Sequence, residues 1–191
     1  MYTHKVGNSA TSNYLRLIIK DKDRSVIRIR IDTNTSIDIF KSRLDGFIQA
    51  DDRENALKLI DDYASTLKSA GVDAEKLKGS INDYFDYQAL LKNLDKCVDN
   101  GKFQEALNLT DKNADLIKRM GKSPESIKEM LNGLETLSKA LAKINDFIKT
   151  GHTEQALEIA DRNKELFEKL GFIFEAVREK IISQTPIDLT D

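Results

Sequence analysis

One short pattern returns three times along this chain at a single interval. Ala56-Leu57, Ala106-Leu107 and Ala156-Leu157 stand 50 residues apart, and Asp61, Asp111 and Asp161 keep the same interval, as do Gly71, Gly121 and Gly171. A fixed period of this size is the mark of an array in which each repeat is one supersecondary unit that buries its apolar face against its neighbours. Apolar positions obey the period too: Leu44, Leu94 and Ile144; Phe47, Cys97 and Phe147; Ile48, Val98 and Ile148; Leu67, Ile117 and Phe167; Leu77, Ile127 and Val177.

Within each copy the spacing is helical. Ile37, Phe40, Leu44, Phe47 and Ile48 form one stripe after the caps at Asn34-Thr35-Ser36. A helix is expected over Glu54–Ala70, closed by Gly71, and a long one over Asp73–Val98 with the stripe Leu77, Ile81, Tyr84, Tyr87 or Gln88, Leu91, Leu94 and Val98. Phe103–Met120 follows, closed by Gly121. Ser123-Pro124 opens a second long helix that carries Ile127, Leu131, Leu134, Leu137, Leu141, Ile144 and Ile148. Thr153 is expected to cap a third short helix ending at Leu170-Gly171. A last helix spans Phe172 to about Ile182, and the tail Ile187–Asp191 is expected to fray.

The first copy lacks the front of its long helix. In its place stand Tyr14–Ile19 and Ser25–Ile31, rich in β-branched residues, the second strictly alternating, which predicts a β-hairpin. The expected fold is therefore mainly α: three helical-hairpin repeats of 50-residue period joined by long helices, preceded by an N-terminal β-hairpin. Its divisions are a polar arm and basic hairpin over 1–35 and a helical repeat domain over 36–183, then a tail over 184–191. The repeats lie at about 37–71, 72–121 and 122–171, with a terminal helix over 172–183. Of the 191 residues 32% are charged, with nine Gly and two Pro, as a helical protein with a solvated outer face requires.

Gly101-Lys102-Phe103-Gln104-Glu105-Ala106-Leu107 resembles the turn and second-helix start of a tetratricopeptide repeat, with Gly ending one helix, an aromatic two residues on, and an Ala at the crossing. Gly151–Ala156 and Asp51–Ala56 match without the aromatic. The resemblance implies stacked helical hairpins. The interval of 50 exceeds that family's 34, no proline closes the units, and no ligand-binding residues carry over.

Little in the sequence points to catalysis. His4 lies in the arm and His152 in a turn. Cys97 takes a core position held elsewhere by Phe47 and Phe147, which reads as a small buried hydrophobe. There is no Gly-rich phosphate loop, no metal-ligand spacing and no cofactor motif, so no catalytic, cofactor-binding or metal site is expected. Two features bear on binding. Asp61, Asp111 and Asp161 lie beside the buried stripe, either as an acidic ladder for a basic partner or as stacking bonds between helices. Tyr14, Arg16, Arg28 and Arg30 share one hairpin face in a segment with seven cations against two acids over residues 1–31, although the whole chain carries −2. That face suits phosphate, or guards a strand edge. Asn113 and Asn163, with Tyr63, are expected as register devices.

The reading is a non-enzymatic interaction or scaffold protein in the cytoplasm, outside any membrane, with an unidentified protein partner and a possible homodimer through the hairpin. The alternative is a nucleic-acid-binding regulator that uses the basic hairpin.

Overall fold

The structure, a computed structural model, describes residues 35–187, and all ten elements within that range are helices. The β-hairpin expected before residue 32 lies outside the described residues. The helices are α1 (Thr35–Gln49), α2 (Arg53–Asp62), α3 (Ala64–Ser69), α4 (Ala74–Asp99), α5 (Phe103–Lys112), α6 (Ala114–Arg119), α7 (Pro124–Lys149), α8 (Thr153–Arg162), α9 (Lys164–Lys169) and α10 (Phe174–Ile182). The period appears in the boundaries themselves. α2, α5 and α8 each have 10 residues, α3, α6 and α9 each have 6, and α4 and α7 each have 26.

Each long helix ends the same way. The Lys102 N–H reaches back to the Cys97 carbonyl at 2.7 Å and the Gly101 N–H to Val98 at 2.9 Å, the paired bonds that satisfy the last carbonyls of a helix. His152 and Gly151 repeat the pattern on Phe147 and Ile148, and Asp52 and Asp51 on Phe47 and Ile48. The motif needs a left-handed residue, which Gly101 supplies at φ 68° without steric penalty. In the first copy Asp51 takes that conformation at φ 58°.

The described residues fall into two compact units, one of residues 35–90 with 115–122, the other of 91–114 with 123–187. In the first unit α1 packs on α2 and α3. Its core gathers Ile37, Phe40, Leu44, Ala56, Leu59, Ile60, Leu67, Leu77, Ile81 and Phe85. In the second, α5 packs on α7, α7 on α8, and α8 on α10. Ala56, Ala106 and Ala156 are fully buried. A small side chain there lets neighbouring backbones approach, and a larger one would overpack the contact.

Four expectations need correction. The helix expected over Glu54–Ala70 breaks at Tyr63, where φ −103° and ψ 8° leave the helical well, and its equivalents break at Asn113 and Asn163. The stripe on α4 is Leu77, Ile81 and Phe85, then Tyr87, Leu90, Leu94, Cys97 and Val98, whereas Tyr84 and Leu91 are only half-buried. At 3.6 residues per turn those two sets lie on different sides of the helix, so one stripe cannot describe it. Thr153 is the first residue of α8 rather than its cap, and the capping residue, His152, makes no side-chain cap bond. Ser123 does cap α7, accepting from the Ser126 N–H at 3.2 Å.

The fourth concerns the tail. α10 stops at Ile182, and Gln184 takes φ 55°. Ile187, expected to fray, is 1% exposed. The Asn145 side chain on α7 donates to the Ile187 carbonyl at 2.6 Å and accepts its N–H at 2.9 Å. By the period Ile187 answers to Ile37, Tyr87 and Leu137, all fully buried. The apolar pattern thus outlasts the helix that carried it, and one amide satisfies the backbone that would otherwise be buried bare.

Candidate functional site

Tyr14, Arg16, Arg28 and Arg30 lie outside the described residues. The three aspartates lie inside them. Asp61, near the end of α2, pairs with Lys78 on α4; Asp111, near the end of α5, pairs with Lys128 on α7 at 2.8 Å; Asp161, near the end of α8, pairs with Arg178 on α10. Every pair spans 17 residues, and the cations keep the 50-residue period as strictly as the acids. Hydrogen bonding to Asp61, then to Glu75, holds the Lys78 ammonium above its ordinary pKa. Asp111 does the same for Lys128. Asp61 and Asp111 each tie a short helix to the following long one, and Asp161 ties α8 to the nine-residue α10. The carboxylates remain more than half exposed, so burial adds little to their strength.

The break residues work as local clamps. Asn113 Nδ2 donates to the Leu109 carbonyl and Asn163 Nδ2 to the Ile159 carbonyl, both at 2.8 Å and both four residues back. These bonds serve carbonyls left weakly paired by the break. Tyr63 keeps the place in the first copy with a different contact, its ring 5.4 Å from that of Phe40.

That substitution has a spatial consequence. Between α7 and α8, at the break, lies a groove of about 370 Å³ lined by Thr136, Lys139, Ala140, Lys143, Ile159, Arg162 and Asn163. Its place in the first copy belongs to Ser36, Ile39, Phe40, Arg43, Leu59, Asp62 and Tyr63. There Phe40 is fully buried with the Tyr63 ring 5.4 Å away, where the third copy has Ala140 and Asn163. The groove escapes a reading that seeks shared positions, since it arises where the copies differ. The signal was present in the series Phe40, Leu90, Ala140 and the series Asp62, Lys112, Arg162.

A second set of polar bonds gathers on α4. Arg119 lays two nitrogens on Asp83 at 2.8 and 2.9 Å, and Arg53 donates to Asn82 at 2.8 Å and to Asp86 at 2.6 Å. The Arg119 guanidinium holds the Asp83 carboxyl below the usual carboxylate range. Cys97 is buried, and desolvation pushes its thiol up, away from the reactive thiolate. His152 is exposed, with Nδ1 2.8 Å from the Thr150 hydroxyl.

Among the described residues, no group of three or more His, Cys, Asp or Glu side chains is placed to hold a metal ion, and no helix is long and apolar enough to cross a membrane. No protein-family model matches the sequence, and neither does any curated protein or solved structure.

Proposed function

We propose that this chain is a non-catalytic interaction protein, a tetratricopeptide-like scaffold whose helical repeats present a partner-binding face. The observation that carries the reading is a division of labour between period positions. Positions that build the array are constant in residue or in charge: Ala56, Ala106 and Ala156; Gly71, Gly121 and Gly171; Asp61, Asp111 and Asp161, with the cations Lys78, Lys128 and Arg178. Four positions around the helix break are different in every copy: Ile39, Ala89 and Lys139; Phe40, Leu90 and Ala140; Arg43, Asn93 and Lys143; Asp62, Lys112 and Arg162, although Leu59 and Leu109, and Asn113 and Asn163, repeat. A fixed frame with a varied face suits recognition, because repeat arrays carry their partners on surfaces that stacking does not constrain. The acidic series belongs to the frame, since each carboxylate is bonded within its own chain. A cytoplasmic location belongs to the same reading, supported by a single cysteine held as a buried thiol.

The test is capture of partners from native cells with the full chain, followed by cross-linking to map the contact. The scaffold reading expects cross-links on the varied face and loss of the partner in a Lys139→Glu, Lys143→Glu variant that keeps its helical melt. If capture survives that variant but is abolished by Arg16→Glu, Arg28→Glu and Arg30→Glu, the hairpin is the interface. Nucleic acid recovered with the protein would then favour the regulator instead.

A further inference from the structure

We propose that the groove between α7 and α8 receives an acidic peptide segment of a partner protein, which seats one aromatic side chain above Ala140. The inference rests on the scaffold reading and names the partner's chemistry at one site.

The floor of the groove is apolar, made by Ala140 and Ile159, and its volume is about 370 Å³. A cavity of about 150 Å³ is enough to take benzene, so the space admits one aromatic side chain with backbone on either side. The chain itself shows what fits. In the first copy the same place is filled from within by Phe40, which is fully buried, with the Tyr63 ring 5.4 Å away. The third copy keeps the surrounding helices and removes both rings, replacing them with Ala140 and Asn163. A ring supplied from outside restores the contact that the first copy makes for itself.

The rim sets the charge of the partner. Lys139, Lys143 and Arg162 border the groove. Lys139 is bonded to Glu135 at 2.6 Å and Arg162 to Glu158, each four residues away on its own helix, and both cations are mostly exposed. Exposed pairs of that kind contribute little, so the cations remain available to a carboxylate presented by a docked chain. Lys143 makes no ion pair among the described residues. The first copy has Ile39, Arg43 and Asp62 at these places, two of which cannot attract an acid. Cations beside a seated ring also favour its face, a contact this chain makes elsewhere, with Lys164 Nζ 5.3 Å from the centre of the Phe174 ring.

The test uses the full chain and fluorescein-labelled peptides in anisotropy titrations at low and moderate salt. The probes are Asp-Glu-Phe-Glu-Asp, the same peptide with Ala for Phe, the neutral Asn-Gln-Phe-Gln-Asn, and a single-stranded oligonucleotide. The first peptide is expected to bind in a salt-dependent way, and removal of its ring or of its charge should weaken binding at least about tenfold. Ala140→Phe fills the groove from inside and should abolish binding. Lys143→Glu, on an exposed position that leaves the packing alone, should weaken it about fivefold or more. Unchanged affinity in either variant, with the helical melt intact, overturns the proposal. So does tighter binding of the oligonucleotide, or no binding of the acidic aromatic peptide at low salt. A captured partner that cross-links to other face positions would keep the scaffold reading while sinking this one.

Discussion

Phe40 and Ala140 hold the same place in two copies of one repeat, and the two places have opposite fates. At the first break Phe40 is fully buried in a core and packs its ring 5.4 Å from that of Tyr63. Around Ala140 the break is open, shallow and bordered by cations. Around both, the two short helices have the same lengths, 10 and 6 residues, and the ion pair that follows them recurs, Asp61 with Lys78 and Asp161 with Arg178. The contrast shows that a break in a helix is a neutral architectural device. Side-chain volume at one position distinguishes a place filled by the core from one left as a groove.

The contrast can be broken most forcefully from the closed side. Phe40→Ala should destabilise the protein by about 3–5 kcal/mol, because a fully buried ring leaves a cavity its neighbours only partly refill. A urea-unfolding midpoint close to that of the wild type would mean that the first place is not closed at all. The reverse change should be mild. Ala140→Phe is expected to shift stability by no more than about 1 kcal/mol in the same assay, since the ring extends from a buried position into the adjoining groove. A loss as large as that of Phe40→Ala would show that the two places are not counterparts.

The long-helix ends sharpen the comparison at the level of backbone. Gly101→Ala should cost about 1–2 kcal/mol, because a side chain is forced into the left-handed region at φ 68°. Asp51, already there at φ 58°, should gain up to about 1 kcal/mol when changed to Gly, offset by the entropy glycine loses on folding. Thermal melts of the two variants should therefore move in opposite directions.

The smallest effect concerns charge. Asp83 is held by Arg119, whereas its counterpart Gly133 has no room to spare, an added Cβ lying 3.3 Å from Leu166. The Asp83 carboxyl is depressed when folded. Its stabilisation is therefore present above the ordinary carboxylate pKa of about 3.9 and lost as pH falls through the lower folded value. The stability difference between wild type and Asp83→Asn should shrink on acidification, and a difference that grows would reverse the sign.

Much of this frame was legible before any coordinates. The Ala and Gly series marked crossings and turns because their roles depend on size and backbone freedom alone. The breaks at Tyr63, Asn113 and Asn163 were not legible, since apolar spacing continues across them: Leu67, Ile117 and Phe167 stay buried on the far side. The stripe on α4 misled because its buried side changes along its length, while a periodicity argument assumes one buried side. Thr185-Pro186 ends helical spacing and so predicts a frayed end at Ile187, and only Asn145 reveals that the backbone there is held. The cations at Lys78, Lys128 and Arg178 were within reach of the period and went unmatched to their acids. The open groove needed the comparison inverted, from what the copies share to what they do not.

The most direct measurement is an amide chemical-shift titration of the full chain with the Asp-Glu-Phe-Glu-Asp peptide. Perturbations confined to Thr136–Lys143 and Ile159–Asn163, and absent from the closed place around Phe40 and Tyr63, are the predicted result. Equal shifts at both places, or shifts centred on Tyr14, Arg16, Arg28 and Arg30, would contradict it.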